Sequence, residues 1–243
     1  EAFEMIQDAF LYSEKYSTPV IFRPTTRVCH AYASVEIPDA FETKQYESFV
    51  KDSKKWVIFP KLSYVNHAMI EKRNVEIGED FSTYKYNTVS GTSKKAIAAG
   101  GVSYAYAKEF LKDYPDVRLI KVATPYPFPE KFMLKALEGV EEVLCYEELS
   151  PFLEENIWKL AGKYHLDIAV SGKLNGVVPA SGENDANQAK AIIGCFLGLA
   201  KETDTIDTED TPTLPVRPPV LCAGCPHRAS FYSVKQAMKG KKA

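Results

Sequence analysis

The chain has 243 residues, 45% of them hydrophobic, enough to bury one or two ordinary cores. A formal net charge of −2 gives no general attraction to nucleic acid or anionic lipid, and neither is expected as a partner. No apolar run approaches transmembrane length, the start lacks a signal peptide's basic residues, and five scattered cysteines make no disulfide framework, so a reducing, cytoplasmic setting is expected.

Residues 2–16 carry apolar side chains at Phe3, Ile6, Ala9, Phe10 and Leu11, which predicts a helix. No N-cap precedes it, so its beginning is expected upstream of this chain. Ser17-Thr18-Pro19 breaks the pattern, and Val20-Ile21-Phe22 reads as a buried strand. Arg23, Arg27, Cys29 and His30 follow at its carboxyl end. In parallel α/β domains such ends face ligands, which makes Arg27 and His30 candidates for a ligand edge. The alternative is that the arginines solvate an edge and His30 packs locally.

Residues 33–37 alternate, and Trp56-Val57-Ile58-Phe59 is strand-like before Pro60. Residues 62–75 predict a helix with Met69 and Ile70 inward and Glu71, Lys72 and Arg73 outward. His67 has no partner at metal-ligand spacing and reads as a surface or packed histidine. The aromatic stretch 84–89 reads as a bridge between domains. From Lys95 the pattern is regular: strands over 96–101, 117–122, 140–146 and 167–170 alternate with helices over 102–112, 130–137, 151–164 and 186–200. This alternation predicts an α/β domain, residues 95–201, with a parallel sheet covered by helices on both faces. Residues 202–213, rich in Thr and Asp, read as a solvated linker.

Residues 90–95 lack the spacing of a phosphate loop and precede their strand instead of following it. Gly100-Gly101 reads as a tight strand-to-helix turn. Glu147 and Glu148 are adjacent in an extended segment and point to opposite faces, so they form no proton-sharing dyad; a partner or domain contact is expected of them. Residues 172–183 form a loop punctuated by Gly172, Gly176, Pro179 and Gly182, a connection needing unusual backbone angles.

The most informative motif lies in residues 214–232. Pro215, Pro218 and Pro219 hold the chain extended, then Cys222 and Cys225 stand at C-x-x-C spacing with Gly224 between them and Pro226-His227 behind. From Ala229 the pattern is helical. Pro226 breaks the C-x-x-C-H needed for haem attachment, and a preceding proline-rich linker disfavours a thioredoxin-like dithiol. A zinc site or iron–sulfur cluster would need further ligands from elsewhere, and free structural cysteines remain an alternative. Cys145 and Cys195 read as small buried residues.

Four segments, residues 18–30, 98–148, 172–183 and 217–232, resemble the alpha subunits of indolepyruvate:ferredoxin oxidoreductases, thiamine-diphosphate enzymes of the 2-oxoacid:ferredoxin oxidoreductase superfamily. The most specific is Arg217-Pro-Pro-Val-Leu-Cys222-Ala-Gly-Cys225-Pro-His227-Arg-Ala-Ser-Phe-Tyr232. The resemblance implies the carboxyl end of a pyrimidine-binding domain at 1–37, a linking region at 38–94, a transketolase C-terminal-like domain at 95–201, a linker at 202–219, and the start of a diphosphate-binding domain at 220–243. The diphosphate-and-magnesium motif, the glutamate that activates the aminopyrimidine and the ferredoxin-like cysteines of such enzymes have no counterpart here. The chain therefore reads as an internal fragment, inactive alone, with no catalytic residue of its own and without the parent's cofactors bound. For the parent, the resemblance implies oxidative decarboxylation of indolepyruvate, an aryl 2-oxoacid, to the acyl-CoA, with thiamine diphosphate and Mg2+, [4Fe-4S] clusters, coenzyme A, a beta subunit and ferredoxin. It places Cys222, Cys225 and His227 near the cofactor, makes Cys222 and Cys225 candidate metal ligands, and puts Arg27 and His30 at the substrate edge. Alternatives are a subunit of another 2-oxoacid oxidoreductase, acting on pyruvate or ketoisovalerate, and a non-catalytic α/β interaction module with a zinc half-site.

Overall fold

A computed structural model describes residues 1–37, 39, 49–199, 215, 221 and 223–241. Cys222 and the linker at 202–213 lie outside the described residues. The chain divides into two compact units, Glu1–Lys201 and Glu202–Ala243.

In the first unit the order is α1 (Ala2–Tyr16), α2 (Thr26–Cys29), α3 (Ser53–Trp56), α4 (Pro60–Phe81), β1 (Thr88–Ser90), β2 (Lys95–Ala99), α5 (Gly101–Phe110) with a 3-10 turn at Leu111–Asp113, β3 (Arg118–Lys121), α6 (Glu130–Ala136), β4 (Glu142–Tyr146), α7 (Phe152–Tyr164), β5 (Ala169–Ser171) and α8 (Ala186–Leu197). The strands make one sheet in the order β1-β3-β2-β4-β5. β2 pairs in parallel with β3 and with β4, β4 pairs in parallel with β5, and β1 runs antiparallel to β3. The sheet is mixed and mostly parallel, and the alternating pattern from Lys95 onward is borne out as an α/β fold.

Period-two alternation divides β2, β3 and β4 between two cores. Ala96, Ala98, Ile120, Val143 and Cys145 face α6 and α7 through Met133, Leu153, Ile157 and Leu160. Ile97, Ala99, Leu119, Leu144 and Tyr146 face α5 and α8 through Ala107, Ala189 and Ile193. Helices therefore cover both faces, and β2, central and short-chained, is buried from Ala96 to Ala99. Such a strand reads as a continuous apolar run because both of its faces are covered.

α1 docks on the far end of α4. The Tyr12 ring lies 5.3 Å from Phe81 and 6.1 Å from Tyr84, centroid to centroid. Lys15 and Tyr16 both donate to Asp80, and the Tyr84 hydroxyl donates to Asp8 at 2.9 Å. Arg73 donates to the carbonyls of Tyr16 and Ser17 at 3.2 and 3.1 Å, a cation closing the carboxyl end of α1 where the helix dipole is negative.

Several local expectations are corrected. Residues 20–22 form no strand: Ile21 is 89% exposed, and Pro19 and Pro24 bracket a segment that contributes nothing to a ladder. The sheet edge is taken instead by β1, at the end of the aromatic stretch read as a bridge. Residues 33–37 form no strand and are exposed. The strand-like 56–59 begins inside α3, whose N-cap Asp52 accepts from Lys54 N at 2.9 Å. The helix at 62–75 is real but longer, α4, with Met69 and Ile70 exposed, since Ile77 and Gly78 are its buried residues. Cys195 is exposed, whereas Cys145 is buried as expected.

In the second unit, α9 (Pro226–Ala237) starts directly behind Gly224, whose φ of 78° lies in the left-handed region. Pro226 occupies the first helical turn, where its missing N–H costs nothing.

Candidate functional site

The carboxyl ends of β2, β4 and β5 open on one edge of the first unit, where doubly wound sheets bind ligands. β2 runs into Gly100-Gly101. A Cβ on Gly100 would stand 2.7 Å from the Val122 carbonyl oxygen, so β3 passes too close for a side chain there. Gly101 takes φ +55° as α5 begins, and Thr25, just before α2, lies against it.

β4 runs into Glu147 and Glu148, which point to opposite sides as the sequence predicts. Glu147 is not free for the partner or domain contact expected of it. Glu147 is buried and accepts the backbone N–H groups of Leu153 and Glu154 at 2.9 and 3.0 Å. It thus satisfies the start of α7, which Pro151 at the cap position cannot do. Burial pushes the Glu147 carboxyl above its ordinary range and the neighbouring Glu154 charge adds to this, while the two N–H groups and Lys173 pull the other way. Glu148 accepts from Asn184 N at 2.9 Å, and Asn184 Nδ2 donates to Ser103 Oγ at 2.9 Å.

β5 runs into the glycine-punctuated loop, and a second buried carboxylate organises it. Glu154, 1% exposed, accepts from Lys173 N at 2.7 Å and Leu174 N at 3.1 Å. Lys173 turns inward and donates to the Pro179 carbonyl at 2.5 Å. Between its two anchored ends the loop is largely exposed, with Gly176 and Gly182 at φ of 77° and 95°. Its last residue before the Asn184 anchor, Glu183, reaches Arg27 Nη2 at 2.9 Å.

The sequence candidates fall in both units. Arg27 lies on α2 and is joined to the loop through Glu183. His30 caps the carboxyl end of the same one-turn helix and is exposed, so the two share a short helix without a contact that unites them. In the second unit Cys225 is the N-cap of α9, with its Sγ 3.4 Å from His227 Nδ1. Among the described residues no cluster of three or more His, Cys, Asp or Glu side chains is arranged to hold a metal ion. Sequence reasoning missed Glu154 and Asn184. Glu154 had one available signal, an acid in the first turn of a helix.

Three curated relatives are similar to nearly the whole chain. Subunits named indolepyruvate oxidoreductase subunit IorA from Thermococcus kodakarensis, Pyrococcus horikoshii and Methanothermobacter thermautotrophicus are 35%, 33% and 33% identical to it, each over 98% of this chain. The chain is similar to IorA subunits over nearly its whole length. It spans about 38% of the length of each of these IorA relatives. No protein-family model matches it. The relationship covers α2, the glycine-punctuated loop and the start of α9 alike, so every candidate above lies in the part shared with IorA. Among the described residues no helix is long and apolar enough to cross a membrane.

Proposed function

We propose that the chain is part of a 2-oxoacid:ferredoxin oxidoreductase that oxidatively decarboxylates indolepyruvate, passing the acyl group to coenzyme A and electrons through iron–sulfur clusters to ferredoxin. The observation that carries this reading is the similarity to IorA subunits over 98% of the chain. A subunit name implies a partner, and we assign the chain to a hetero-oligomer with a beta subunit.

Thiamine diphosphate with Mg2+ would supply the electron sink for decarboxylation. What this chain offers such a group is the start of α9. Cys225 caps that helix without a side-chain hydrogen bond, Pro226 has no N–H, and the N–H of His227 points out of the first turn with the imidazole beside it. A twelve-residue helix whose N-terminus lacks a capping side chain suits an anionic diphosphate. Cys225 and His227 are the residues we place against it, together with Cys222. For a metal or cluster, Cys225 would supply one thiolate and Cys222 the second. On the first unit, Arg27 and His30 are placed at the substrate edge, where a guanidinium fits a 2-oxoacid carboxylate. Residues 95–201 are read as the transketolase C-terminal-like domain, a reading its parallel strands support.

The test is calorimetric titration of the full-length parent with thiamine diphosphate and Mg2+. Wild type binds, and His227→Ala binds at least several-fold more weakly. Equal affinity in the two proteins contradicts the placement of His227.

A further inference from the structure

The Arg27–Glu183 pair is out of character with its surroundings. Every other polar tie of the loop's ends is buried or half-buried: Glu154 to Lys173 and Leu174, Glu148 to Asn184, Asn184 to Ser103. The Arg27 and Glu183 side chains are instead 51% and 64% exposed, and such pairs contribute on the order of 0–1 kcal/mol. Glu183 is also mounted so that its side chain can swing without moving the backbone behind it. Asn184 is fixed to two elements, and Asp185 caps α8 by accepting from Gln188 N at 2.8 Å. On the other side of the pair, residues 23–30 carry Arg23, Arg27 and His30 and no acid. Their counter-charge comes from a residue more than 150 positions away, at the sheet edge where ligands bind in this architecture.

We propose that Glu183 is a resident counter-ion at Arg27 that a small carboxylate ligand displaces. Resting on the placement of Arg27 at the substrate edge, the inference names the residue that sets substrate affinity there. The incoming carboxylate takes the guanidinium donors that Glu183 leaves, and Glu183 turns to solvent. The planar guanidinium accepts either carboxylate with the same geometry, so the exchange needs no rearrangement of α2. Glu183 therefore acts as a competitor that lowers apparent affinity by the fraction of time it occupies Arg27.

The test is steady-state kinetics of the full-length parent with its partner subunit, using indolepyruvate, for wild type, Glu183→Gln, Arg27→Ala and the double variant. The proposal expects Glu183→Gln to lower KM about two- to fivefold, as loss of an exposed pair implies. It expects Arg27→Ala to raise KM about tenfold or more, and the Glu183→Gln effect to vanish in the Arg27→Ala background. If Arg27→Ala raises KM while Glu183→Gln leaves it unchanged or raises it, the counter-ion role is overturned and the placement of Arg27 stands. If Arg27→Ala leaves KM unchanged, the placement of Arg27 fails, and the counter-ion proposal with it.

Discussion

Glu154 and Gly172 occupy one space: a Cβ built on Gly172 would stand 2.5 Å from Glu154 Oε2. The glycine is needed at this position for contact and not for backbone angle. Its absent side chain lets a helix carboxylate reach the N–H groups of Lys173 and Leu174 behind β5.

Coupling between the two positions follows. Gly172→Ala displaces the carboxylate and is expected to cost about 2 kcal/mol. Glu154→Ala strands two N–H donors and is expected to cost about 3 kcal/mol. The double variant should cost clearly less than the sum, because the methyl group no longer meets an acid. Urea unfolding of the four proteins measures this, and strict additivity contradicts the shared-space account.

Two other glycines separate crowding from backbone angle. Gly91 and Gly139 have φ of +73° and +71°, but a Cβ on Gly91 would lie 2.1 Å from the Val117 carbonyl, whereas Gly139 has open space around it. Gly139→Ala should cost about 1–2 kcal/mol, the left-handed penalty alone. Gly91→Ala should cost at least about 2 kcal/mol more, through the clash with β3's approach. Similar melting temperatures for the two variants would refute the distinction.

Acid should loosen α1 before the sheet. Hydrogen bonds from Lys15 and Tyr16 hold the Asp80 carboxyl below its ordinary range, and those from Tyr86 and Lys85 do the same for Glu4. Both acids have lowered folded-state pKa values, so their stabilisation is present above the ordinary carboxylate range and is lost as pH falls through the lowered values. Glu147 shifts upward, so its contribution has the opposite sign: present at low pH and lost as pH rises through its raised value. The same Glu4 contact pushes the Tyr86 phenol up to about 12. Amide protection, measured against the intrinsic exchange rate at each pH, should therefore fall between pH 5 and pH 3 in residues 2–16 ahead of β2 and β4. A uniform loss of protection would argue against α1 as a separately titrating dock.

Thiol reactivity should sort by burial. Cys145 is buried with its thiol pushed well up by desolvation, while Cys29 and Cys195 are exposed. Alkylation of the native protein followed by peptide mapping should label Cys29 and Cys195 and spare Cys145 until unfolding. Early labelling of Cys145 would contradict the core assigned to β4.

The sheet was legible because β2 and β4 are short apolar runs that end on a glycine or an acid and are covered on both faces. Ala96, Ile97, Ala98 and Ala99 could hardly be read otherwise. The segment before it misled for a physical reason. Val20, Ile21, Met69 and Ile70 have the composition of core, yet these side chains are exposed in the described residues. Local composition cannot say which apolar segment wins a sheet edge, and β1, with Thr88 and Ser90, carried a weaker strand signal than residues 20–22. At the candidate site the glycines and the paired acids were visible. The partner of Gly172 was not, since Glu154 meets it across 18 residues and only the packing of α7 on β5 brings them together.

The most direct test of the functional reading is anaerobic reduction of a viologen dye by the full-length parent with its partner subunit, supplied with coenzyme A and either indolepyruvate or pyruvate. The account predicts reduction that depends on thiamine diphosphate and prefers indolepyruvate. Preference for pyruvate would contradict the substrate assignment, and no reduction with any 2-oxoacid would contradict the proposed reaction itself.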